Sequence, residues 1–288
     1  MKLPQTTSSV NAAIAYFLFG LCSVSLCGQA YAQVEALSHS ELMRSCPVES
    51  SLPIPNHVIR AAASIGDVSS QARYVTPLHV HILQDTQGTN RVTRENVEAT
   101  LARLNSGFTK AGFTFTLASL ETVVNDTWAR VARADIAVLQ EVAAALNVGG
   151  RDSVNVYIGF IESLCGRASL PYYQYTHEAV YLDYRCIPGG ETSEGYDTVI
   201  HEMGHYMGLF HTFSPEPNGC RGRGDFVADT PFQKVPHFRC KKYDTCPKKP
   251  GLDPVRNFMD YTDDACTNHF TKGQIALMRY AHWYYRLR

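Results

Sequence analysis

The sequence predicts an α/β fold built on a mixed sheet, followed by an irregular region that closes on a helix. Two patterns carry this expectation. Between residues 74 and 207, strand-like and helix-like hydrophobic periods alternate: strand, helix, strand, helix, strand, strand, helix. From Pro215 to Pro254 neither period continues, and the chain is rich in glycine, proline and cysteine. A stretch of that composition has little means of building its own core and needs another staple.

The elements are read in order. Tyr74–Gln84 alternates Val80 and Ile82 against His79 and His81 and reads as a strand, with Asp85-Thr86-Gln87-Gly88 as the turn after it. From Thr93 to Lys110, Val97, Leu101, Leu104 and Phe108 recur at helical spacing, with Thr93 placed to cap the start and Gly112 near the end. Phe113–Leu120 alternates again. A helix is expected from about Ala132 to Leu146, closed by Gly149-Gly150, with strands at Val154–Phe160 and Glu178–Tyr184. Tyr196 to Met207 reads as a helix, and a last helix starts near Thr271 and carries Ile275, Met278 and Trp283. Residues 33–73 mix serine, proline and polar residues with little periodicity and read as a propeptide or linker.

Composition excludes some classes. The chain has 288 residues, 45% hydrophobic and 18% charged, which suits an ordinary globular protein with one sizeable domain or two small ones. A formal net charge of −1 gives no footprint for nucleic acid or an acidic membrane surface. At the N-terminus, Lys2 is the only charge before Glu35, the run Ala12–Cys27 is apolar, and Ala30-Tyr31-Ala32 is a small-x-small cleavage site. Residues 1–32 read as a signal peptide, with a mature chain from Gln33 that is secreted and extracellular. The competing reading is an uncleaved anchor, for which the apolar run is short.

The chemistry is concentrated in His201-Glu202-Met203-Gly204-His205-Tyr206-Met207-Gly208-Leu209-Phe210-His211. This is H-E-x-x-H-x-x-G-x-x-H, three zinc ligands with a carboxylate among them. On a helix, His201 and His205 stack on one face. Gly208 can take a positive φ and end the helix sharply, so that His211 returns as third ligand. Three protein ligands leave a fourth position for water, as in catalytic zinc sites. In this reading zinc activates the water and polarises the scissile carbonyl, while Glu202 serves as general base. The plain alternative is an amphipathic helix with surface histidines.

Downstream stands Asn257-Phe258-Met259-Asp260-Tyr261. With HEMGHYMGLFHTF, GDFVADTP, DTCP and NFMDYTDDACTNHFTKGQIALM in this order, the chain resembles the pappalysin family of metzincin metalloproteases, closely from about Tyr196 to Met278 and more loosely from Tyr74 to Cys186. The resemblance implies a metzincin-like zincin fold and a secreted zinc endopeptidase acting on proteins or peptides. It implies a catalytic domain at 74–288, with an upper subdomain (74–208) and a lower one (209–288) flanking a cleft. Met259 becomes the methionine of the turn beneath the metal; taken alone it would be an ordinary core methionine. Tyr261 becomes a hydroxyl near the metal or oxyanion, with a purely structural tyrosine as the alternative. Glu178–Tyr184 becomes the edge strand that pairs antiparallel with substrate. Asp225, Asp229 and Thr230 lie where the family carries structural calcium, though a turn held by aspartates reads equally well.

Nine cysteines are present, and Cys22 and Cys27 leave with the signal peptide. By resemblance, Cys220 pairs with Cys246 and Cys240 with Cys266. Cys165 and Cys186 remain as a third pair by arithmetic and location. Cys46 is then odd. In several metzincin zymogens an upstream cysteine closes the fourth zinc position, so Cys46 reads as a latency switch, a disulfide partner or a free thiol.

Other residues are given plainer roles. His79, His81, His177, His237, His269 and His282 read as surface or packing histidines, since the ligands are already counted. Lys241-Lys242 and Lys248-Lys249 read as a solvated loop. Asn125-Asp126-Thr127 is a glycosylation sequon. Tyr172, Tyr173 and Tyr175 read as a tyrosine-rich surface loop, with lining of the substrate cleft as the alternative. A secreted zinc-binding protein without proteolytic activity, and a zinc exopeptidase, stay as alternatives. No feature calls for more than a monomer.

Overall fold

A six-stranded sheet organises the computed structural model, which describes residues 55–64, 73–132, 135–173, 177–191, 196–214 and 219–288. All belong to the unit His39–Arg288. The expected signal peptide, Cys46 and Tyr175 lie outside the described residues.

Strand β1 (Tyr74–Gln84) pairs in parallel with β2 (Phe113–Val124) on one side and β4 (Val154–Ile161) on the other. β4 pairs in parallel with β6 (Val180–Asp183) and with the two-residue β3 (Arg130–Val131). The short strand β5 (Gly166–Ala168) runs antiparallel to β6, which makes the sheet mixed, as expected. The order is β2-β1-β4-β6-β5, with β3 beside β4.

Layering follows from period-2 alternation. On β4, Val154, Val156 and Ile158 join the larger core, with Leu78, Val80 and Ile82 of β1. Tyr157 and Ile161 face the other way, into a second cluster. Helix α2 (Arg94–Phe108) supplies Val97, Leu104 and Phe108 to the larger core. It starts as the sequence predicts, with Thr93 accepting from Asn96 N and the Asn96 side chain answering in a capping box. Helix α3 (Ile136–Leu146) covers the second cluster with Leu139, Val142 and Ala143. It begins later than expected because the Asp135 side chain caps Val138 N.

Two further differences stand out. The strand at residues 178–184 is not the sheet edge, because β5 lies outside it. The 33–73 segment also carries a helix, α1 (Asn56–Ser64), which packs on the C-terminal helix α5 (Lys272–His282). There Val58 is fully buried, and the His57 ring lies 4.7 Å from that of Tyr284.

From Gly208 to α5 the chain has no regular helix or strand among the described residues. Disulfides Cys220–Cys246 and Cys240–Cys266 cross this region, and Cys165–Cys186 joins the residue before β5 to the turn that follows β6. All three pairs match the expectation. Hydrogen bonds do the rest: buried Asp253 accepts from Thr245 N and Oγ1 and lies 2.6 Å from His237 Nε2. Asp229 accepts from Thr271 Oγ1 and Gly273 N at the start of α5.

Candidate active site

Helix α4 (Thr198–Tyr206) is buried on every face, His201, Glu202 and His205 included. That removes the reading of a surface amphipathic helix. Gly208 takes φ +99°, as the sharp turn requires, and Leu209 N donates to Gly204 O. The turn brings His211 back against the helix. Tyr172 braces it by donating its hydroxyl to Gly208 O at 2.6 Å, while its ring stacks on Phe210. Tyr172, and the buried Tyr173, therefore belong to the packing and not to a surface loop. Residues of mixed polarity such as tyrosine suit either place, so only the packing decides.

The three imidazoles converge. His201 Nδ1 donates to Phe258 O and His205 Nδ1 to Leu209 O, each at 2.7 Å. Carbonyls only accept, so these tautomers leave Nε2 as a lone pair. Nε2 of His205 lies 3.0 Å from Nε2 of His201 and 3.1 Å from that of His211. The lone pairs of His201 and His205, facing one another at this separation, repel unless a cation lies between them. Tetrahedral zinc with bonds of about 2.0–2.1 Å sets ligand nitrogens about 3.3 Å apart, close to what is found. Burial lowers the His201 pKa to about 4 and holds His205 and His211 well below the usual range, favouring the neutral form a metal needs. Among the described residues, these three are the group of metal-binding side chains close enough to share an ion.

Met259 is fully buried beneath α4 against Gly204. Tyr261 places its hydroxyl 3.1 Å from His211 Nε2. Glu202 is 1% exposed and lines a solvent-open pocket together with Gly166, Thr198, His201 and Tyr261. The same pocket carries the carboxylates Asp197, Asp260 and Asp264. Asp197 pairs with Arg103 and accepts from Thr267 Oγ1, and burial raises its pKa. Asp260 accepts from Gln233 Nε2 and His237 N, which ties the irregular region to the methionine turn. Burial lifts its pKa to about 6.

The residues read as a calcium site divide. Asp225 is buried, its Oδ1 accepts from Val227 N, and burial holds its pKa well above the usual range. Asp225 Oδ2 and Thr230 Oγ1 are buried without a hydrogen-bond partner among the described residues. The Asp229 carboxylate is instead exposed and engaged at the start of α5.

Several contributors escape sequence reading. Gly166 lies directly against Glu202. Arg286 pairs with Glu178 and lies 4.1 Å over the Tyr206 ring at the end of α4. Their motif-free surroundings offer no local signal. Asp260 was in view inside the NFMDY run, but its partners lie far away in sequence.

Comparison with known proteins places these features in a family. The family model Peptidase_M43, described as pregnancy-associated plasma protein-A, matches residues 152–282. An extracellular metalloprotease of Colletotrichum graminicola is 30% identical and covers 94% of this chain and 95% of its own length. One from Arthroderma gypseum is 32% identical over 78% of this chain and 76% of its own. Among solved structures, mature mirolysin of Tannerella forsythia in complex with a cleaved peptide has a TM-score of 0.61 at 25% identity, covering 72% of this chain and 91% of that one. A promirolysin mutant of the same organism has a TM-score of 0.65 at 20% identity, covering 92% and 91%.

Proposed function

The chain belongs to the pappalysin (Peptidase_M43) family of metalloproteases, and from its geometry we propose how its residues divide the hydrolysis of a peptide bond. It is a zinc metallopeptidase with the metzincin fold. The observation that carries the proposal is the convergence of three neutral Nε2 atoms beside a buried glutamate.

His201, His205 and His211 would hold the zinc, with Nδ1 of the first two fixed by backbone carbonyls. Zinc supplies Lewis acidity at the scissile carbonyl and lowers the pKa of bound water. Glu202 takes the proton from the attacking water on its carboxylate and returns it to the leaving amine. Tyr261 donates its hydroxyl to the developing oxyanion. Met259 forms an apolar floor. Strand β5, at the sheet edge beside Glu202, pairs with an extended peptide.

The remaining assignments are of the same kind. Residues 1–32 act as a signal peptide, 33–73 as a propeptide or linker, and 74–288 as the catalytic domain with its cleft between 74–208 and 209–288. The relatives named extracellular metalloproteases support secretion, and no described helix is long and apolar enough to cross a membrane. Cys46 serves as latency switch. Calcium at Asp225 and Thr230 would answer for two orphaned oxygens. The three histidines, Glu202 and Tyr261 all come from one chain, so a monomer suffices.

The test is proteolysis of a denatured protein by wild type and Glu202→Ala, with and without a zinc chelator. Only unchelated wild type should cleave; loss of the general base is expected to cost at least about 10²–10⁴-fold. Cleavage by Glu202→Ala, or by chelated enzyme, overturns the assignment. Internal fragments rather than stepwise trimming identify an endopeptidase, and their new N-termini report the pocket preference. Cys46→Ala separates a latent zymogen from a protein that binds zinc without cleaving.

A further inference from the structure

We propose that strand β5 is a positioning element for both reactants: Gly166 confines the Glu202 side chain, and the Cys165–Cys186 bond holds the same strand at the substrate-binding edge. The proposal rests on the hydrolytic reading above, in which Glu202 moves the proton.

Position 166 needs glycine for proximity. A Cβ built there would lie 2.6 Å from Glu202 Cγ, 2.9 Å from its Oε1 and 2.8 Å from Thr198 Cγ2. Gly166 is not among the glycines with positive φ, so backbone conformation is not the reason for it. In a strand, such a glycine marks the close approach of another group. Here that group is the general base itself. The bare backbone of β5 is a wall against the carboxylate arm, and contact of this kind limits the rotamers Glu202 can visit.

A three-residue strand paired on one side has little rigidity of its own. Long-range ties supply it. The Cys165–Cys186 disulfide joins the residue before it to the turn that follows β6, and both cysteines are buried. Asp183 N donates to Cys165 O at 2.8 Å. The fully buried Asp183 carboxylate accepts from Ile161 N at 2.8 Å and pairs with Arg185 at 2.8 Å. The loop between β4 and β5 is therefore pinned at both ends to one aspartate. Arg185 also lies 4.3 Å over the Phe160 ring. β5 is the last strand of the sheet, and Gly166 at its start and Cys165 just before it line the pocket that holds His201 and Glu202.

One short segment thus sets the distance between a bound peptide backbone and the base. Catalysis is sensitive to that distance, since a misplacement of about 1 Å can cost about 10²-fold.

The experiment measures kcat and KM on one fluorogenic peptide, with zinc content and Tm, for the active enzyme, Gly166→Ala and the double variant Cys165→Ala/Cys186→Ala. Gly166→Ala should lose about 10²-fold in kcat with KM within about threefold and full zinc content. The disulfide variant should raise KM by about tenfold, again with zinc bound, because its edge no longer holds the peptide in register. The proposal is overturned if Gly166→Ala keeps wild-type kcat, or if its lost activity only follows lost zinc and Tm. Should the disulfide variant fail to fold, Gly166→Ala decides alone. Failure of the underlying reading looks different: Glu202→Ala would then match wild type.

Discussion

Met259 packs on Gly204 of α4 so closely that a methyl group on Gly204 would stand 2.5 Å from the methionine sulfur. Met259 is held there by its own amide, which donates to Asn257 Oδ1, and Asn257 in turn donates to Gln274 on α5. The zinc helix and the C-terminal helix thus share one floor.

Gly204→Ala is therefore expected to overpack that floor, costing about 1–3 kcal/mol of stability and weakening zinc binding. Met259→Leu, which keeps the volume, should cost less than about 1.5 kcal/mol. Thermal melts with a competitive zinc titration check both. Equal, negligible effects would mean the contact can relax without moving the ligands.

Tyr261 lies 3.1 Å from His211 Nε2, beside the three converging imidazoles. Tyr261→Phe keeps the ring contacts with His211 and Phe213 but removes the hydroxyl. It should lower kcat by about 10²-fold, in the range seen for oxyanion donors, with zinc content and Tm unchanged. A variant with full activity would make this a structural tyrosine.

His282 shapes the acid limit. It is 4% exposed, it packs on Tyr74 and Phe113, and its Nδ1 has no partner among the described residues. Burial lowers its pKa from 6.5 to about 4. Between those values the unfolded chain binds the proton and the folded chain refuses it, so stability rises with pH across this window. The contribution is complete above pH 6.5 and is lost as pH falls toward about 4, on the order of 3 kcal/mol in all. Asp260 runs the other way, because its raised pKa lets the folded form keep a proton that the unfolded chain releases. Comparing urea midpoints of wild type and His282→Leu between pH 4 and 7 isolates the histidine, and the variant should show the flatter acid limb.

The edge of the sheet shows where sequence reading stops. A strand was expected at residues 178–184 and one runs from Val180 to Asp183, yet its neighbours depend on the return of Gly166–Ala168, which is too short to show any period. The helix Asn56–Ser64 was equally hidden. It spans only nine residues, and Val58 gains its burial from α5, more than two hundred positions away.

What the sequence alone determined is local. Two histidines and a glutamate at helical spacing, then a glycine and a third histidine, are set by a period of 3.6 and by ligand chemistry, which involve only near neighbours, while Met259 was legible only through the resemblance. The cysteine pairs were within reach by resemblance and by counting. Only the tertiary structure decided which strand forms the edge, why position 166 must be glycine, and how Asp260, Tyr172 and Arg286 brace the site. Those are contacts between residues distant in the chain. Close packing, not any short-range periodicity, fixes them.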